Sequence, residues 1–421
     1  MTTQERFNVA PSARRLTKSL RDVGYSFESA IADLVDNSIT AGASKIDISI
    51  TFAGKESTVS IQDDGAGMGA SLINEAMRFG SRRDYASGDL GRYGLGLKTA
   101  SLSQCRRIEV VSKTLGNAVE ARALDLDFIE AVDDWLITDI TDSHSRSMRD
   151  LSSGTLVVWK NLDRILPARS PEGGWARRRI EGLPQRLATY LSMVFHRFLA
   201  GESGETLEIT INGQKLQAWD PFARDEENTE ELTYDEFELE HKHGVGSVLL
   251  KRYLLPTKNE FSSTQAYERY SGPEKWNRQQ GLYIYRANRL VQWGGWAGIR
   301  TSDEHTKFGR ASLDFDTGLD EAFNINVAKM RVSLPSELKK MISRPLNELC
   351  MLADAAYRKN FSSTTDVHAE SEENDIHSFS GSAESGATIG LTLRAAAARS
   401  GNLIALNEIM AIIAKEAPEL S

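Results

Sequence analysis

The sequence has few cysteines, no long apolar run and no excess of positive charge. Its two cysteines, Cys105 and Cys350, cannot form a disulfide framework and fit a reducing compartment. It has no run of about 18 apolar residues, so we expect no membrane span. Residues 1–10 lack the apolar core of a secretory signal, so we expect a cytoplasmic location. The net charge of -9 argues against coating nucleic acid by bulk electrostatics but allows a local basic groove.

The rest of the composition is that of a soluble globular protein, with 40% hydrophobic and 26% charged residues. A chain of 421 residues is too long for one ordinary core and predicts two domains with additions. Predicted helices and strands are grouped rather than strictly alternating. This grouping favours an α+β sandwich over a doubly wound sheet.

Changes in pattern predict the domain boundaries. We predict an N-terminal domain over 1–170, a connecting amphipathic helix over 171–200 and a second α+β domain over 201–360. Residues 361–387 are rich in Ser, Glu and Gly and predict a disordered linker. Residues 388–421 predict a helical tail that could bind a protein partner.

The first of three motifs lies on a helix predicted over residues 26–41, with Ser26 as its N-cap. Asp33 and Asn37 are four residues apart and therefore share one helix face. The carboxylate could orient and deprotonate a water molecule, and the amide oxygen of Asn37 could bind Mg²⁺, which prefers oxygen ligands. The alternative is a helix end whose polar residues face water.

The second motif is Asp64-Gly65-Ala66-Gly67-Met68, which follows a predicted strand. A carboxylate at a strand end can accept a hydrogen bond from an exocyclic amine, and glycines let the backbone approach a flat ring. The alternative is an ordinary turn, because Asp-Gly is a common turn dipeptide.

The third motif runs from Gly91 to Lys98 and precedes a helix. Backbone N–H groups of a Gly-rich turn form an anion nest, and Lys98 could reach a phosphate. The alternative is a flexible loop. The glycine spacing differs from both the dinucleotide fingerprint and the P-loop, and no protein-kinase motif set follows.

Taken in order, the three motifs resemble the nucleotide-binding boxes of the GHKL ATPases, and most closely those of MORC and MutL proteins. Gly154-Thr155 resembles the family's fourth element, and residues 281–291 resemble a strand pair of the transducer domain. The resemblance implies an N-terminal GHKL (Bergerat) α/β sandwich followed by a transducer-like α+β domain, similar to ribosomal protein S5 domain 2. It covers roughly residues 10–345.

The resemblance also implies a set of site residues. Asp33 would be the general base, Asn37 the Mg²⁺ ligand, and Lys329 a second catalytic residue that reaches the γ-phosphate from the transducer. The ATP contacts would come from Asn37, Asp64, Gly67, Met68, Gly91, Tyr93, Gly94, Leu95, Gly96, Leu97, Lys98 and Thr155. The family's base is usually Glu, and Asp33 is one methylene shorter, which predicts slow hydrolysis.

The function implied by this resemblance is an ATP-dependent clamp. ATP and Mg²⁺ would bind in the first domain, a lid over residues 80–93 would close, and two chains would form a homodimer that acts on DNA. Prokaryotic relatives are associated with defence gene sets. One alternative is a nucleotide-gated scaffold that recruits a protein partner through its tail without DNA. A histidine-kinase-like phosphotransferase is disfavoured, because no dimerising phospho-acceptor helix precedes the ATP domain.

Overall fold

The structure is a computed structural model that describes residues 11–22, 24–79, 96–144, 148–241, 244–325 and 332–370. Residues 1–360 form one compact unit, and residues 361–421 are assigned to a second unit. Among the described helices, none combines the length and apolar character needed to cross a lipid bilayer.

The N-terminal part of the chain contains helices α1 to α9 and strands β1 to β8. The helices are α1 (Ala13–Arg21), α2 (Phe27–Thr40), α3 (Ala70–Met77), α4 (Gly96–Leu102), α5 (Leu126–Val132), α6 (Thr141–His144), α7 (Gly174–Glu181), α8 (Leu183–Val194) and α9 (His196–Leu199). The strands are β1 (Lys45–Thr51), β2 (Thr58–Asp63), β3 (Arg107–Lys113), β4 (Glu120–Asp125), β5 (Thr138–Asp139), β6 (Gly154–Lys160), β7 (Glu208–Ile211) and β8 (Gln214–Lys215).

Within the described residues, these strands form one sheet in the order β5-β4-β3-β6-β2-β1-β7-β8. The pairs are antiparallel except β1 with β7, which is parallel. Burial alternates along β1 and β2, as it does where one sheet face is covered. Apolar side chains of α2, α4 and α8 pack with the covered face in one hydrophobic core. The N-terminal part of the chain therefore has two layers, with helices on one face of a mostly antiparallel sheet.

Helix α2 forms where the sequence predicts it. The Ser26 hydroxyl accepts a hydrogen bond from the Ser29 N–H at 3.1 Å and so caps the first turn. Gly42 follows the helix with a φ of 72°, a conformation that glycine adopts without strain. Ile31, Leu34 and Val35 are buried against the sheet. The apolar face of the helix therefore packs against the core.

The second part of the chain contains a further sheet and helices. Its strands are β9 (Glu230–Glu231), β10 (Asp235–His241), β11 (Gly244–Leu254), β12 (Gly281–Arg286), β13 (Arg289–Gln292) and β14 (Gly309–Phe315). Its α-helices are α10 (Thr264–Tyr270), α11 (Lys275–Gln279) and α12 (Ser336–Glu370), and short 3₁₀ turns cover Glu304–Thr306 and Thr317–Leu319. Across the described part of this region the sheet order is β10-β11-β14-β12-β13, with β9 paired to β11.

Both faces of the second sheet are covered. Leu282 and Ile284 point to one face, where they join a core with Leu338 and Ile342 of α12. Tyr283 and Tyr285 alternate with them and point to the other face, into an aromatic cluster. Met193 of α8 belongs to that cluster, so α8 contributes to both cores. Helix α8 therefore joins the two sheets.

The predicted fold class, an α+β chain with an N-terminal sandwich, is confirmed. Three details differ from the prediction. Strands β7 and β8, assigned from sequence to the second domain, belong to the first sheet, because β7 pairs with β1. The connecting helix predicted over 171–200 is three helices, interrupted at Gly182 and Phe195. Helix α12 extends to Glu370, into the segment predicted to be disordered, and residues 371–421 lie outside the described residues.

Candidate functional site

The carboxylate of Asp63 lies where α2, the Gly-rich turn and the start of β6 meet. Its Oδ2 accepts a hydrogen bond from the Ser38 hydroxyl at 2.9 Å. Its Oδ1 accepts from the N–H of Gly65 at 3.0 Å and from the N–H of Thr155 at 3.1 Å. Burial raises the pKa of Asp63, and these three hydrogen bonds oppose that rise. Asp63 therefore connects three segments that are distant in sequence.

Asp64, the residue predicted to contact adenine, is placed differently. Its carboxylate accepts hydrogen bonds from the N–H groups of Ser44 and Lys45, at 2.8 and 2.9 Å, and from the Ser44 hydroxyl at 2.7 Å. Burial opposes ionisation, but these hydrogen bonds keep the pKa of Asp64 below its ordinary value. The Asp64 carboxylate therefore fixes the turn between α2 and β1. The carboxylate that contacts α2 and Thr155 is that of Asp63, one residue before the residue that the sequence predicts for adenine.

Gly67 is required by the tight approach of the turn to β3. A Cβ atom on Gly67 would lie 2.0 Å from the carbonyl oxygen of Lys113, and its φ is 69°. The neighbouring Met68 N–H donates to the Ser112 hydroxyl at 2.7 Å. That hydroxyl lies 2.9 Å from the Thr155 hydroxyl. The structure thus brings together Gly67, Met68 and Thr155, as the sequence predicts.

Asp33, the predicted base, is only 2% exposed. Its Oδ2 accepts a hydrogen bond from the Tyr25 hydroxyl at 2.7 Å. The first residue of α4 is also close, since a Cβ atom on Gly96 would lie 3.4 Å from Asp33 Oδ2. The end of the third motif therefore faces the carboxylate of the first motif.

Asn37 lies one helical turn after Asp33 and is exposed. Its amide oxygen is a hard ligand of the kind that Mg²⁺ prefers. Over the described ranges, no group of three or more His, Cys, Asp and Glu side chains is placed to hold a metal.

Lys98 does not face open solvent. It is 1% exposed, and its Nζ donates to the carbonyl oxygens of Ala76 at 2.8 Å and Arg78 at 2.5 Å. Burial lowers the pKa of Lys98 to about 8. The side chain thus caps the end of α3 and uses two of its three N–H donors there. The neighbouring Leu97 packs against the first core.

Several predicted site residues lie outside the described residues, namely Gly91, Tyr93, Gly94, Leu95 and Lys329. Four residues that sequence reasoning missed are central to the described site, namely Tyr25, Ser38, Asp63 and Ser112. The sequence did contain a pattern that places Asp63 in the interior. Asp63 continues the alternation of Val59 and Ile61, whose side chains lie on the helix-covered face of β2.

The comparisons with known proteins agree with these motifs. The family described as Histidine kinase-, DNA gyrase B-, and HSP90-like ATPase matches residues 25–155. The protein named ATPase morc-1 from Caenorhabditis elegans is 36% identical over 88 residues, which are 21% of this chain and 10% of that protein. The chain therefore aligns with about a tenth of the length of that relative.

The family match covers the segment that contains α2, the Asp63–Gly67 turn and Thr155. The chain carries a GHKL-type ATPase domain with a likeness to MORC proteins, as the motifs predict. The family supports ATP binding and hydrolysis by this domain.

Proposed function

We propose that this chain binds Mg-ATP around Asp33, Asn37 and Asp63, hydrolyses it slowly, and uses it to control the dimerisation of two chains on DNA. The observation that carries the proposal is the convergence of α2, the Gly-rich turn and β6 on the Asp63 carboxylate. Ser38 of the helix that carries the first motif, Gly65 of the second motif and Thr155 of the fourth element all bond this carboxylate.

Asp63 is suited to read adenine. An ionised carboxylate offers about four acceptor positions, and hydrogen bonds from Ser38, Gly65 and Thr155 take three of them. The remaining position could accept the exocyclic amine of adenine. The fixed geometry of the carboxylate means that little ordering is needed when the base binds.

Asp33 is suited to activate the water that attacks the γ-phosphorus. A general base must lie within about 2.6 to 3.2 Å of the proton it removes, or act through one relay water. The attack forms a bond from the water oxygen to phosphorus and breaks the bond to the β-phosphate oxygen. Asp33 takes the water proton, and ADP and phosphate leave. The shorter Asp side chain supports slow turnover, since a misplacement near 1 Å can cost about a hundredfold.

Asn37 provides the first test of this proposal. The side chain is exposed, so Asn37→Ala should leave the fold intact. If its amide oxygen holds Mg²⁺, calorimetry should show that the variant binds a non-hydrolysable ATP analogue less tightly in the presence of Mg²⁺. The same affinity for Mg-nucleotide in the parent and in Asn37→Ala would contradict this role.

Nucleotide-driven dimerisation is the second part of the proposal, and it rests on the resemblance of the motifs to those of MORC and MutL proteins. Sedimentation at micromolar chain concentration should give a dimer with a non-hydrolysable analogue and a smaller species without it. A monomer under both conditions would contradict the clamp. A dimer of the same stability under both conditions would contradict nucleotide control of the interface.

A local basic surface on α7 supports DNA as the substrate. Arg178 and Arg179 are exposed, and, within the described residues, no acidic side chain pairs with either. Arg179 lies over the ring of Trp175, which is 55% exposed. It also lines a cavity of about 450 Å³, in which Arg164 and Arg186 are paired with Asp22 and Glu28. Arginine and an exposed aromatic ring suit phosphate contact and base stacking.

Two other arginine pairs in the sequence, at 106–107 and 82–83, support DNA binding less well. Arg106 pairs with Asp127 and Glu130, and Arg107 pairs with Glu109 and Asp125. Their charge is therefore largely neutralised within the protein. Residues 82–83 lie outside the described residues.

Charge reversal on α7 tests DNA contact. The double variant Arg178→Glu/Arg179→Glu should reduce the retention of long duplex DNA with nucleotide present, and the loss should shrink as salt rises. Arg149→Glu is a matched control, because Arg149 is also exposed. Equal retention by both variants and the parent would contradict a DNA contact on α7. No retention by the parent chain would favour a nucleotide-gated protein scaffold.

A further inference from the structure

A buried ion pair joins the helix of the proposed catalytic base to the second sheet. Arg289, the first residue of β13, places its Nε 3.0 Å from Oδ1 of Asp36 on α2. The two side chains are 1% and 0% exposed. Asp36 lies between Asp33 and Asn37 in the sequence of α2. Among the described ion pairs, this one connects the proposed ATP site directly to the second sheet.

The surroundings of this pair make it hard to separate. Helix α8 packs against both α2 and β13, and the Arg289 guanidinium lies 5.8 Å from the ring centroid of Phe195, just after α8. Burial disfavours a charged guanidinium, but the adjacent Asp36 carboxylate keeps the pKa of Arg289 above its ordinary value. Moving β13 away from α2 would leave two opposite charges buried without their partner, which is strongly unfavourable.

The position of Asp36 on the helix determines what the pair can control. Asp33 and Asn37 share one helix face, whereas Asp36 projects roughly 60° to 100° away from them around the helix axis. A force applied to Asp36 would therefore rotate α2 and move both functional side chains together. Tyr25 and Gly96 hold Asp33 closely, so a small rotation would change its placement.

We propose that Arg289 is a positioning residue that sets the rotation of α2, so that the second sheet controls hydrolysis through Asp36. The inference rests on the proposed ATPase function. It gives the second sheet a route to the base that does not depend on a direct contact with the nucleotide.

The chain contains a matched control for the loss of a buried ion pair. Arg286, the last residue of β12, pairs with Asp320 through two hydrogen bonds of 2.7 and 2.8 Å. Those side chains are 2% and 5% exposed. This pair lies beside the same β12–β13 hairpin but wholly within the second part of the chain. Arg286→Met and Arg289→Met therefore remove the same group from similarly buried pairs.

The test compares Arg289→Met, Arg289→Lys and Arg286→Met in the full chain. Both Met variants should unfold at lower temperature. Arg289→Met alone should lose kcat, by about tenfold or more, with less than about a threefold change in affinity for a non-hydrolysable analogue. Arg289→Lys, which keeps the positive charge, should recover part of the rate. Equal kcat values for the two Met variants, per folded molecule, would overturn the proposal.

A second readout does not require hydrolysis. Amide hydrogen exchange in residues 27–40 should become faster in Arg289→Met and stay at the parent rate in Arg286→Met. If Arg289→Met does not fold, Asp36→Asn removes the same ion pair while keeping the side-chain shape. Faster exchange in α2 in a chain without ATPase activity would support the coupling and contradict the proposed ATPase function. Unchanged exchange in α2 would overturn the coupling.

Discussion

The Tyr25 hydroxyl donates a hydrogen bond to Oδ2 of Asp33 across 2.7 Å. Tyr25 lies just before the N-cap of α2, so the segment that starts the helix also holds the carboxylate two turns later. Burial, followed by the charge of Asp33, raises the pKa of Tyr25 well above its ordinary value. The hydroxyl therefore remains protonated at physiological pH and continues to act as a donor.

Tyr25→Phe removes this hydrogen bond and keeps the ring. We predict that kcat for ATP falls about tenfold because the carboxylate loses its orientation, while affinity for a non-hydrolysable analogue stays within a factor of about two. Tyr234→Phe is the control, since Tyr234 is 65% exposed. Steady-state rates that match in both variants would show that Tyr25 does not position Asp33.

The two neighbouring aspartates should behave differently. Asp63→Asn should abolish or strongly weaken ATP binding, because the amide replaces an acceptor in the cluster of Ser38, Gly65 and Thr155. Asp64→Asn should keep ATP binding and lower stability by about 1 kcal/mol, because it weakens hydrogen bonds in the α2–β1 turn.

Calorimetry and thermal unfolding of both variants give the comparison. Circular dichroism should first show that Asp63→Asn is folded. A folded Asp63→Asn with parent affinity, together with weak binding by Asp64→Asn, would restore the original assignment to Asp64.

Two glycines of the same turn provide a steric test. Gly67→Ala would place a Cβ 2.0 Å from the Lys113 carbonyl oxygen at a φ of 69°, so the turn must move. We expect a loss of at least about 2 kcal/mol in unfolding free energy and a loss of ATP binding. A Cβ on Gly69 would meet nothing within 4 Å, and Gly69 is the N-cap of α3, where Ala is less favourable than Gly, so Gly69→Ala should cost no more than about 1 kcal/mol. Chemical denaturation that gives equal losses would contradict the described turn.

His196 makes the junction between the two sheets sensitive to acid. Its Nε2 lies 2.8 Å from the Tyr285 hydroxyl, and burial lowers the pKa of His196 to about 3 from 6.5. Below pH 6.5 the unfolded chain binds a proton that the folded chain does not. The contribution of neutral His196 to the free energy of unfolding is therefore fully present above pH 6.5 and is lost as pH falls toward 3.

From pH 7.5 to pH 5, we expect His196 to lower the free energy of unfolding by about 2 kcal/mol. His196→Gln should lose less stability than the parent over the same interval. Urea denaturation of both proteins at the two pH values measures this difference. An equal loss in the parent and the variant would show that His196 does not cause the acid sensitivity.

The local elements were predictable because their signals are local. The cap at Ser26 and the apolar stripe of α2 predict a helix within about one residue of its observed bounds. The alternation of Val59, Ile61 and Asp63 contained the information needed to choose between the two aspartates. The sequence prediction named Asp64 from the turn dipeptide, and the strand face favours Asp63, which we propose instead.

The remaining features depend on contacts that sequence patterns do not encode. β7 follows the long connecting segment and pairs in parallel with β1. Parallel strands are joined by a long crossover connection, so the partner of β7 lies far from it in the sequence and local patterns do not identify it. The direction of the Lys98 side chain is set by the carbonyl groups at the end of α3, which the sequence pattern does not predict, and its contact with a phosphate stays a prediction. The pairing of Asp36 with Arg289 joins residues separated by 253 positions, and neither residue has a local signal for it.

The role of Asp33 as the base of ATP hydrolysis is tested most directly by comparing the hydrolysis rates of the parent chain and Asp33→Asn at saturating Mg-ATP. The parent should show slow but measurable release of phosphate. Asp33→Asn should show no release above background while it binds a non-hydrolysable analogue as tightly as the parent, because Asn37 and Asp63 remain in place. Hydrolysis by Asp33→Asn at the parent rate would show that Asp33 is not the base and would contradict the account.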